Sequence, residues 1–426
     1  MPSIGPNSEP RRAEAKLPRR DWVLLPLLSL FTICFLFFAS ERIAWHVLPE
    51  SQESTLGCLV LNDPSTGVRA IPNTVCRGKL DEGPQVEYRF NSCGHRAGME
   101  CGAKSPDTYR IVLVGSSMAE GYGVTREQSF ASLLPAELTR RSGRKIEVYN
   151  AAMQWGSPKT LDLQFKQALA LQPDMILWPV SVWEISNADL ITYQHGNHID
   201  ADLGSIWNTV VSTFHRQGFA TAAETGIVET IVAVLNSRTQ LLIRHYLYMS
   251  PSLYMGGALK SDLEVDYLGS TPNANAQNHI RQFDGYAAHI AAQASAAGVP
   301  LVVTMLPLRS QAVMISAKEW PAGFSPYQSS EYMRSVVESN GGVFLDILPD
   351  FRNIPDAGSY FYPVDGHPTP AGHKILSTML AEALMRDPLA GPEHSLPTSE
   401  SHGSTTSRAT PAPSPVPANL NGDLRR

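Results

Sequence analysis

A serine follows an apolar strand pattern in the segment IVLVGSSMAEGYGV, residues 111–124. Val112–Val114 end the predicted strand, Gly115 permits a sharp turn, and a helix is predicted to start near Ser117. A side chain at such a turn lies at the carboxyl edge of the sheet, where open α/β folds bind their ligands, and the first helical N–H groups can stabilise an anion there. Ser117 is therefore a candidate nucleophile, and a helix N-cap serine is the alternative.

An aspartate and a histidine stand two residues apart in the later segment FYPVDGHPTPAGHKILSTMLAEALM. Thr369 and Pro370 predict that a helix starts directly after them. The Asp365 carboxylate could orient the His367 imidazole, which could then accept a proton from a serine that the fold brings near. A helix-capping aspartate beside a partly exposed histidine is the alternative. The combination of this pair with a serine at a strand end favours catalysis.

The elements that must position these residues follow an alternating pattern of apolar runs and helical stretches from Lys104 onward. This alternation predicts a flavodoxin-like three-layer α/β/α sandwich with a parallel sheet. Helices are predicted near 126–142, 157–171, 279–297 and 326–340. The five predicted strands are RIVLVG, KIEVYNAA, DMILWPV, VPLVVTMLP and GVFLDIL.

An uncharged apolar run from Trp22 to Ala39 follows a basic tail, residues 1–21. Its eighteen residues would span roughly 27 Å as a helix, close to the thickness of a bilayer's hydrocarbon layer. We predict a transmembrane anchor over 22–40, with a cleaved signal peptide or a buried core helix as alternatives. The basic tail then stays cytoplasmic, and the rest of this single-pass chain is expected outside the inner (cell) membrane, in a periplasmic or other extracytoplasmic location.

Four cysteines lie close together on the exported side, at Cys58, Cys76, Cys93 and Cys101. Their even number predicts two disulfides with three possible pairings, and a zinc site is the rival because cysteine thiolates also bind zinc. The short C-x(2–4)-C spacing of structural zinc sites is missing from this cluster. Turn-forming residues and short alternating strand patterns surround the cysteines. A small β-rich cap cross-linked by disulfides is therefore predicted over 41–104.

Two further segments depart from the alternating pattern. The Leu- and Ile-rich segment at about 202–262 predicts a helical insertion that packs on the domain edge, with a substrate lid or a membrane-facing surface as the alternative. The Pro/Ser/Thr-rich segment 387–426 predicts a disordered tail, because it offers almost nothing to bury. The main catalytic domain is therefore expected over 105–386.

Charge and candidate ligands narrow the classes of partner. A formal net charge of -6 gives no electrostatic reason to expect nucleic acid. His195 and His198 form an H-x-x-H pattern in a polar loop, but this pattern lacks the helical context and the glutamate of a zinc protease. We therefore expect no metal, no cofactor and no nucleic-acid partner.

Three motifs resemble those of the SGNH (GDSL-type) hydrolases. VLVGSSMAEGYGV looks like the first block of that family, DGHPTPAGH looks like its final Asp/His block, and EYRFNSCGHRAG resembles a lead-in of exported members. The resemblance covers roughly residues 88–386 and implies that Ser117 is the nucleophile, His367 the general base and acid, and Asp365 its orienting partner. The G-x-S-x-G elbow of α/β-hydrolases does not fit, because residue 119 is alanine.

The sequence departs from the family pattern at three places. Ser116 replaces the aspartate of the first block, and Ala152 stands where the second block has the glycine whose amide lines the oxyanion hole. The amides of Ser117 and Ala152 are the expected oxyanion donors. The third block has Trp183 in place of its asparagine, so the indole N–H or Asn187 would have to donate instead. Loss of one such donor costs on the order of 10²- to 10³-fold in rate.

The resemblance implies a serine esterase or O-acyltransferase that acts on O-acetyl or other ester groups of an acylated small molecule or a cell-envelope polysaccharide. Trp155 and Trp183 are then expected to line the substrate. The alternative is a catalytically silent glycan-binding or envelope-assembly protein on the same fold, with Trp155, Trp178 and Trp183 as a sugar-stacking platform and Ser117 too far from His367 to share a proton. A lipase ranks third, supported only by the apolar insertion.

Overall fold

The computed structural model describes residues 18, 20–49, 54–63, 65–190 and 237–387. Most of the predicted basic tail, His195 and His198, the first part of the predicted insertion, and the predicted tail after 387 lie outside the described residues.

The first element is helix α1, Asp21–Val47, which contains the predicted anchor. It is long and apolar enough to cross a membrane, and a signal sequence near an N-terminus would pass the same test. Its apolar side chains are exposed along most of the helix, whereas Ala44 near its C-terminal end is buried. Only the last part of α1 is therefore covered by the rest of the protein.

A small β-structure follows α1 and holds both predicted disulfides. Strand β1, Leu59–Asp63, pairs antiparallel with β2, Gly67–Ala70, and β3, Val75–Gly78, pairs antiparallel with β4, Val86–Arg89. Cys58 is bonded to Cys76, and Cys93 is bonded to Cys101. The prediction of two disulfides is confirmed, and the zinc alternative for these cysteines is wrong because their sulfurs are bonded to each other.

The five predicted strands form one parallel sheet. They are β5, Tyr109–Leu113, β6, Ile146–Asn150, β7, Met175–Val180, β8, Leu301–Met305, and β9, Val343–Leu345. Their order across the sheet is β6-β5-β7-β8-β9, and every neighbouring pair is parallel. All residues of β5, β7 and β8 are buried, as expected for strands covered on both faces. The predicted flavodoxin-like fold is confirmed. The chain adds β6 on one side of β5 and then adds β7, β8 and β9 on the other side, so the strand order reverses between β5 and β7.

Helices cover the sheet in two layers. The described helices after α1 are α2, Ser117–Glu120, α3, Phe130–Ser142, α4, Pro158–Ala170, α5, Val182–Ser186, α6, Arg238–Tyr248, α7, Pro251–Ala258, α8, Asp262–Leu268, α9, Ala274–Ala296, α10, Arg309–Ala317, α11, Gln328–Ser339, and α12, Pro370–Arg386. Helix α3 packs against α12, and α9 packs against α4 and α11. The four predicted helices correspond to α3, α4, α9 and α11.

The described part of the predicted insertion consists of helices α6 to α8, and α6 packs against α1. Glu41 of α1 accepts hydrogen bonds from the first two backbone N–H groups of α6, those of Arg238 at 2.8 Å and Thr239 at 2.9 Å. A carboxylate at this place satisfies N–H groups that have no partner within the helix. The end of α1 therefore caps α6.

Candidate active site

The nucleophile candidate lies on a tight turn between β5 and α2. Gly115 has φ +135°, and a Cβ at this position would lie 2.9 Å from the carbonyl oxygen of Pro179, so both the dihedral angle and the space require glycine. Gly121 ends α2 in the left-handed conformation with φ +87°. Ser117 therefore stands at the carboxyl end of β5, beside the point where the strand order reverses.

The structure brings the three predicted triad residues together. Ser117 Oγ lies 2.9 Å from His367 Nε2, and His367 Nδ1 lies 2.6 Å from Asp365 Oδ1. The backbone N–H of His367 also donates to Asp365 Oδ1, at 3.0 Å. Because a carboxylate can only accept, Nδ1 carries the proton and Nε2 is left to accept from the serine hydroxyl. This order of donors is the one that a serine nucleophile and its general base require.

The charges around His367 favour its protonated form. Burial alone would lower the pKa of His367, but the charge and hydrogen bond of Asp365, together with the charges of Glu184 and Glu120, raise it above the ordinary value. Burial would raise the pKa of Asp365, but the charge and hydrogen bonds of His367 hold it below its ordinary value. The pair thus stabilises the imidazolium that forms when the serine loses its proton.

The loop that carries the pair, residues 361–368, turns back on itself between a 3₁₀ helix and α12. The N–H of Tyr362 donates to the carbonyl of His367 at 2.8 Å, and the N–H of Gly366 donates to the carbonyl of Tyr362 at 3.0 Å. Gly366 has φ +83°, which suits a residue without a side chain. Thr369 caps α12, as predicted, by accepting from the N–H of Gly372 at 3.2 Å.

The turn after α2 is held by a buried arginine from the EYRFNSCGHRAG motif. Arg96 is 1% exposed and donates to the carbonyls of Gly121 at 2.6 Å and Val124 at 2.7 Å. Its guanidinium lies over the ring of Tyr88, 4.3 Å from the centroid, and the Tyr88 hydroxyl accepts from the N–H of Gly123 at 2.8 Å. The lead-in motif therefore fixes the backbone behind the nucleophile.

The asparagine of the same motif organises the turn before Arg96. Asn91 Oδ1 accepts from the N–H groups of Cys93 and His95, each at 3.0 Å. Asn91 Nδ2 donates to the carbonyl of Met99 and to the hydroxyl of Tyr149, each at 2.8 Å. These bonds place the Cys93–Cys101 loop against the core beneath the sheet edge.

Two of the expected oxyanion donors are already engaged. The N–H of Ala152 donates to Asn150 Oδ1 at 3.1 Å, so its hydrogen is not offered to a substrate while this bond exists. Asn187 Nδ2 donates to the carbonyl of Trp183 at 2.9 Å and to Ser186 at 2.8 Å, at the end of α5, so both of its hydrogens are used. The sequence could not show these local partners, because each is set by a turn.

The N–H of Ser117 differs from these two donors, because it stands at the first position of α2. An N–H at that position has no acceptor within its helix. In contrast to the N–H groups of Ala152 and Asn187, its position suits an oxyanion on the atom that Ser117 attacks.

The predicted tryptophans separate into two groups. The rings of Trp155 and Trp183 lie 6.3 Å apart, and Trp155 belongs to a turn in which Met153 donates to the carbonyl of Gly115 at 3.0 Å. Trp155 has φ +62°, an uncommon conformation for a bulky residue and one that often marks a functional site. Trp178 is 1% exposed and stacks on Phe283 in the core, so it cannot belong to the three-tryptophan sugar platform of the alternative interpretation.

Two buried carboxyl groups adjoin the site, and the motif analysis assigned a role to neither. Burial raises the pKa of Glu184, although hydrogen bonds from Ser116 and Ser181 favour its charged form. The N–H of Ser181 donates to Glu184 at 2.8 Å. Burial also raises the pKa of Glu120 to about 7, against the opposing charge of Arg96. The position of Glu120 three residues after Ser117, on a helix of one turn, was the signal available in the sequence.

Within the described residues, no group of three or more His, Cys, Asp or Glu side chains could hold a metal ion.

Neither a family model nor a curated protein sequence matches this chain. Solved structures do, at low identity. An acetyl xylan esterase is 12% identical over 65% of this chain and 99% of its own, with a TM-score of 0.36. The esterase EstA from Pseudoalteromonas sp. is 10% identical over 65% and 97%, with a TM-score of 0.33. A catalytic mutant of an acetylxylan esterase from Geobacillus stearothermophilus is 9% identical over 68% and 95%, with a TM-score of 0.36. The structural neighbours are thus esterases, and another is described as a GDSL-like lipase.

Proposed function

We propose that this protein is a serine esterase of the SGNH type. The observation that carries the proposal is the continuous set of bonds from Ser117 Oγ to His367 Nε2, at 2.9 Å, and from His367 Nδ1 to Asp365, at 2.6 Å. A nucleophile, a base within hydrogen-bond reach and a group that orients the base are the three parts of nucleophilic catalysis by serine.

In the proposed reaction, Ser117 Oγ attacks the ester carbonyl while its proton moves to His367 Nε2. The resulting oxyanion accepts from the N–H of Ser117, and Asp365 stabilises the imidazolium. Collapse breaks the ester bond, His367 returns the proton to the leaving alcohol, and an acyl-enzyme remains. Water or a sugar hydroxyl then attacks with His367 as the base, which gives a free acid or a new ester.

The proposed substrate is an O-acetyl ester on a cell-envelope polysaccharide or a small acylated molecule. Trp155 and Trp183 support this, because their rings lie 6.3 Å apart beside the nucleophile turn and aromatic faces suit the apolar faces of sugar rings. Whether the acyl group passes to water or to another sugar depends on the acceptor that reaches the acyl-enzyme, so O-acyltransfer is part of the same proposal.

We also propose that the chain is anchored by residues 22–40, with residues 1–21 in the cytoplasm and the site outside the inner membrane. The proposed parts of the exported side are the cap 41–104, the catalytic domain 105–386 and the tail 387–426. The two disulfides support export, because such bonds persist in oxidising compartments.

A catalytically silent protein was expected to hold Ser117 too far from His367 to share a proton. The distance of 2.9 Å between these side chains favours the esterase over that alternative. The core position of Trp178 also removes one member of the sugar platform that the alternative required.

The test is burst release of p-nitrophenol from p-nitrophenyl acetate by the full chain in detergent. We expect a burst of about one equivalent per protein, because acylation precedes a slower second step. Ser117→Ala and His367→Ala should lose the burst, whereas the adjacent Ser116→Ala should keep its amplitude. A burst that survives Ser117→Ala, or no turnover above that variant in a folded chain, would reject the proposal.

A further inference from the structure

A buried glutamate outside the triad holds the loop that carries the triad acid. The side chain of Glu82 has no exposed surface, and its Oε2 accepts from the backbone N–H groups of Val364 at 2.8 Å and Asp365 at 2.9 Å. Its other oxygen, Oε1, lies 2.7 Å from Nδ1 of His245 on α6. One carboxylate thus connects the N–H groups of the acid loop to a helix of the insertion.

A buried arginine holds the same loop through one of its carbonyl groups, and it also holds the 3₁₀ helix that precedes the loop. Arg309 is 4% exposed and donates to the carbonyl of Pro363 and, at 3.0 Å, to that of Gly358. It also donates to the carbonyl of Tyr248, the last residue of α6. The negative charge of Glu82 also favours the protonated form of Arg309 and acts to raise its pKa, so the two charged groups stabilise each other.

The loop depends on these bonds because it lies outside the sheet. Residues 361–368 contain no helix and only one isolated bridge, between Phe361 and Pro368. The Asp365 side chain is 27% exposed, so packing alone does not fix its direction. Hydrogen bonds to a charged group are about twice as strong as neutral ones. The backbone N–H groups of Val364 and Asp365 both make such bonds to the Glu82 carboxylate.

We propose that Glu82 and Arg309, braced by helix α6, are positioning residues that hold Asp365 against His367. This proposal rests on the proposed esterase function, since positioning matters for a reaction only if the reaction occurs. Neither side chain touches the reacting atoms. Glu82 holds two N–H groups of the loop and Arg309 holds the carbonyl of Pro363 in the same loop, so together they fix the position of the loop relative to Ser117.

The proposal extends to the end of α1, because α1 caps the helix that braces both residues. Glu41 accepts from Arg238 and Thr239 at the start of α6, and Arg238 also pairs with Asp81, next to Glu82, at 2.8 Å. A soluble fragment that begins near residue 50 would therefore lack the carboxylate that accepts from the first two N–H groups of α6. Experiments on this site need the full chain.

The first test replaces Glu82 in the full chain in detergent. Glu82→Ala leaves two amides without their acceptor, and we expect kcat to fall on the order of 10²-fold, the usual cost of a misplaced catalytic group, with KM nearly unchanged. Glu82→Gln keeps one oxygen that can accept from both N–H groups, so it should recover most of kcat. A rise in KM with an unchanged kcat would show that Glu82 contacts substrate, and it would overturn the proposal.

The matched control is Asp63→Ala in the turn between β1 and β2. Like Glu82, the Asp63 carboxylate accepts from two backbone N–H groups, those of Ser65 at 2.9 Å and Thr66 at 3.2 Å. Asp63→Ala should lower stability and leave kcat unchanged. Equal losses of kcat in Glu82→Ala and Asp63→Ala would mean that Glu82 has a general structural role, which would also overturn the proposal.

The second test does not require turnover. With ¹³C-labelled histidines in the Ser117→Ala background, the titration of His367 can be followed by NMR. Asp365 holds the pKa of His367 up, so Glu82→Ala should lower this pKa, and Glu82→Gln should restore it. An unchanged pKa in Glu82→Ala overturns the positioning role, whatever the activity.

The two tests separate the proposals. No turnover together with a lowered His367 pKa in Glu82→Ala would reject the esterase and support the positioning role. Turnover together with unchanged kcat and pKa would support the esterase and reject the positioning role. If Glu82→Ala does not fold, His245→Ala takes its place, because it leaves the loop bonds but removes the brace from α6. We expect a several-fold loss of kcat and a lowered His367 pKa in His245→Ala, and unchanged values would reject the proposal.

Discussion

The two segments that meet at the active site are held in opposite ways. The nucleophile turn, residues 114–124, continues a fully buried strand and is held from behind by the buried Arg96. The acid loop, residues 361–368, lies outside the sheet with the Asp365 side chain partly exposed, and it is held by Glu82 and Arg309 from elements distant in sequence. The nucleophile turn is therefore part of the core, whereas the acid loop is held to the core by side chains from other elements.

This difference separates the effects that substitutions should have. A change in the nucleophile turn removes core contacts, so it should lower the free energy of unfolding together with activity. A change at Asp365 in the acid loop removes hydrogen bonds of a partly exposed side chain, so it should lower activity with a smaller loss of stability. Substitutions on each side can test whether the contrast is real.

The largest effect is expected for Asp365→Asn. An amide beside Nδ1 no longer selects the tautomer in which Nε2 can accept from Ser117, so kcat should fall on the order of 10³- to 10⁴-fold. The melting temperature should change little, because the substitution keeps the shape of a side chain that is partly exposed. Activity and thermal unfolding of the full chain in detergent provide the measurement. A large drop in melting temperature would show that the acid loop is as much a part of the core as the nucleophile turn.

The next effect is on stability, from Arg96→Met. This change leaves the buried carbonyls of Gly121 and Val124 without donors, and we expect the free energy of unfolding to fall by about 3–5 kcal/mol. Arg69→Met, which removes a half-exposed ion pair with Asp63 in the same cap, should cost less than about 1 kcal/mol. Urea unfolding of both variants is the measurement, and equal losses would contradict a buried clamp behind the nucleophile.

A smaller effect is expected in the pH dependence. His367 must be neutral to accept the serine proton, and the charges of Asp365, Glu184 and Glu120 raise its pKa above the ordinary 6.5. Protonated enzyme therefore persists to higher pH, and the acid limb of kcat/KM should have its midpoint above 6.5.

Glu120→Gln sharpens this measurement. It removes one of those negative charges, so the acid limb should move to lower pH. It also removes a group whose own pKa lies at about 7, so the limb should follow the titration of a single group. A wild-type midpoint below the ordinary histidine value would contradict the assigned electrostatics of the acid loop.

The smallest effect is expected for Asn187→Ala. The Asn187 amide is used at the end of α5, where it donates to Trp183 and Ser186, so its loss should cost about 1 kcal/mol of stability and leave kcat within a few-fold. An oxyanion donor would instead cost on the order of 10²- to 10³-fold in kcat. Steady-state rates with p-nitrophenyl acetate distinguish the two results.

The sequence was most informative where function depends on one element. The five strands were predicted because buried parallel strands are continuous apolar runs, and Ser117 became the candidate nucleophile because it follows one of them. The spacing of Asp365 and His367 likewise showed that one could orient the other. In both cases the relevant neighbours are within a few residues.

The rest depends on contacts between distant segments. Glu82 lies more than 280 residues before the amide of Asp365 that it binds, and no periodicity or motif relates them. The hydrogen-bond acceptors of Ala152 and Asn187 lie within a few residues of them. Turn geometry decides which atoms they are, and a sequence pattern does not specify that geometry. The support of the acid loop could therefore be seen only in the folded chain.

The most direct test of the central claim is the intact mass of the full chain after reaction with a fluorophosphonate, which labels serines activated by a neighbouring base. The account predicts one adduct per chain, located at Ser117 by peptide mapping, and its loss in His367→Ala. No adduct in the folded chain, or an adduct at another serine that survives Ser117→Ala, would contradict the claim that His367 activates Ser117.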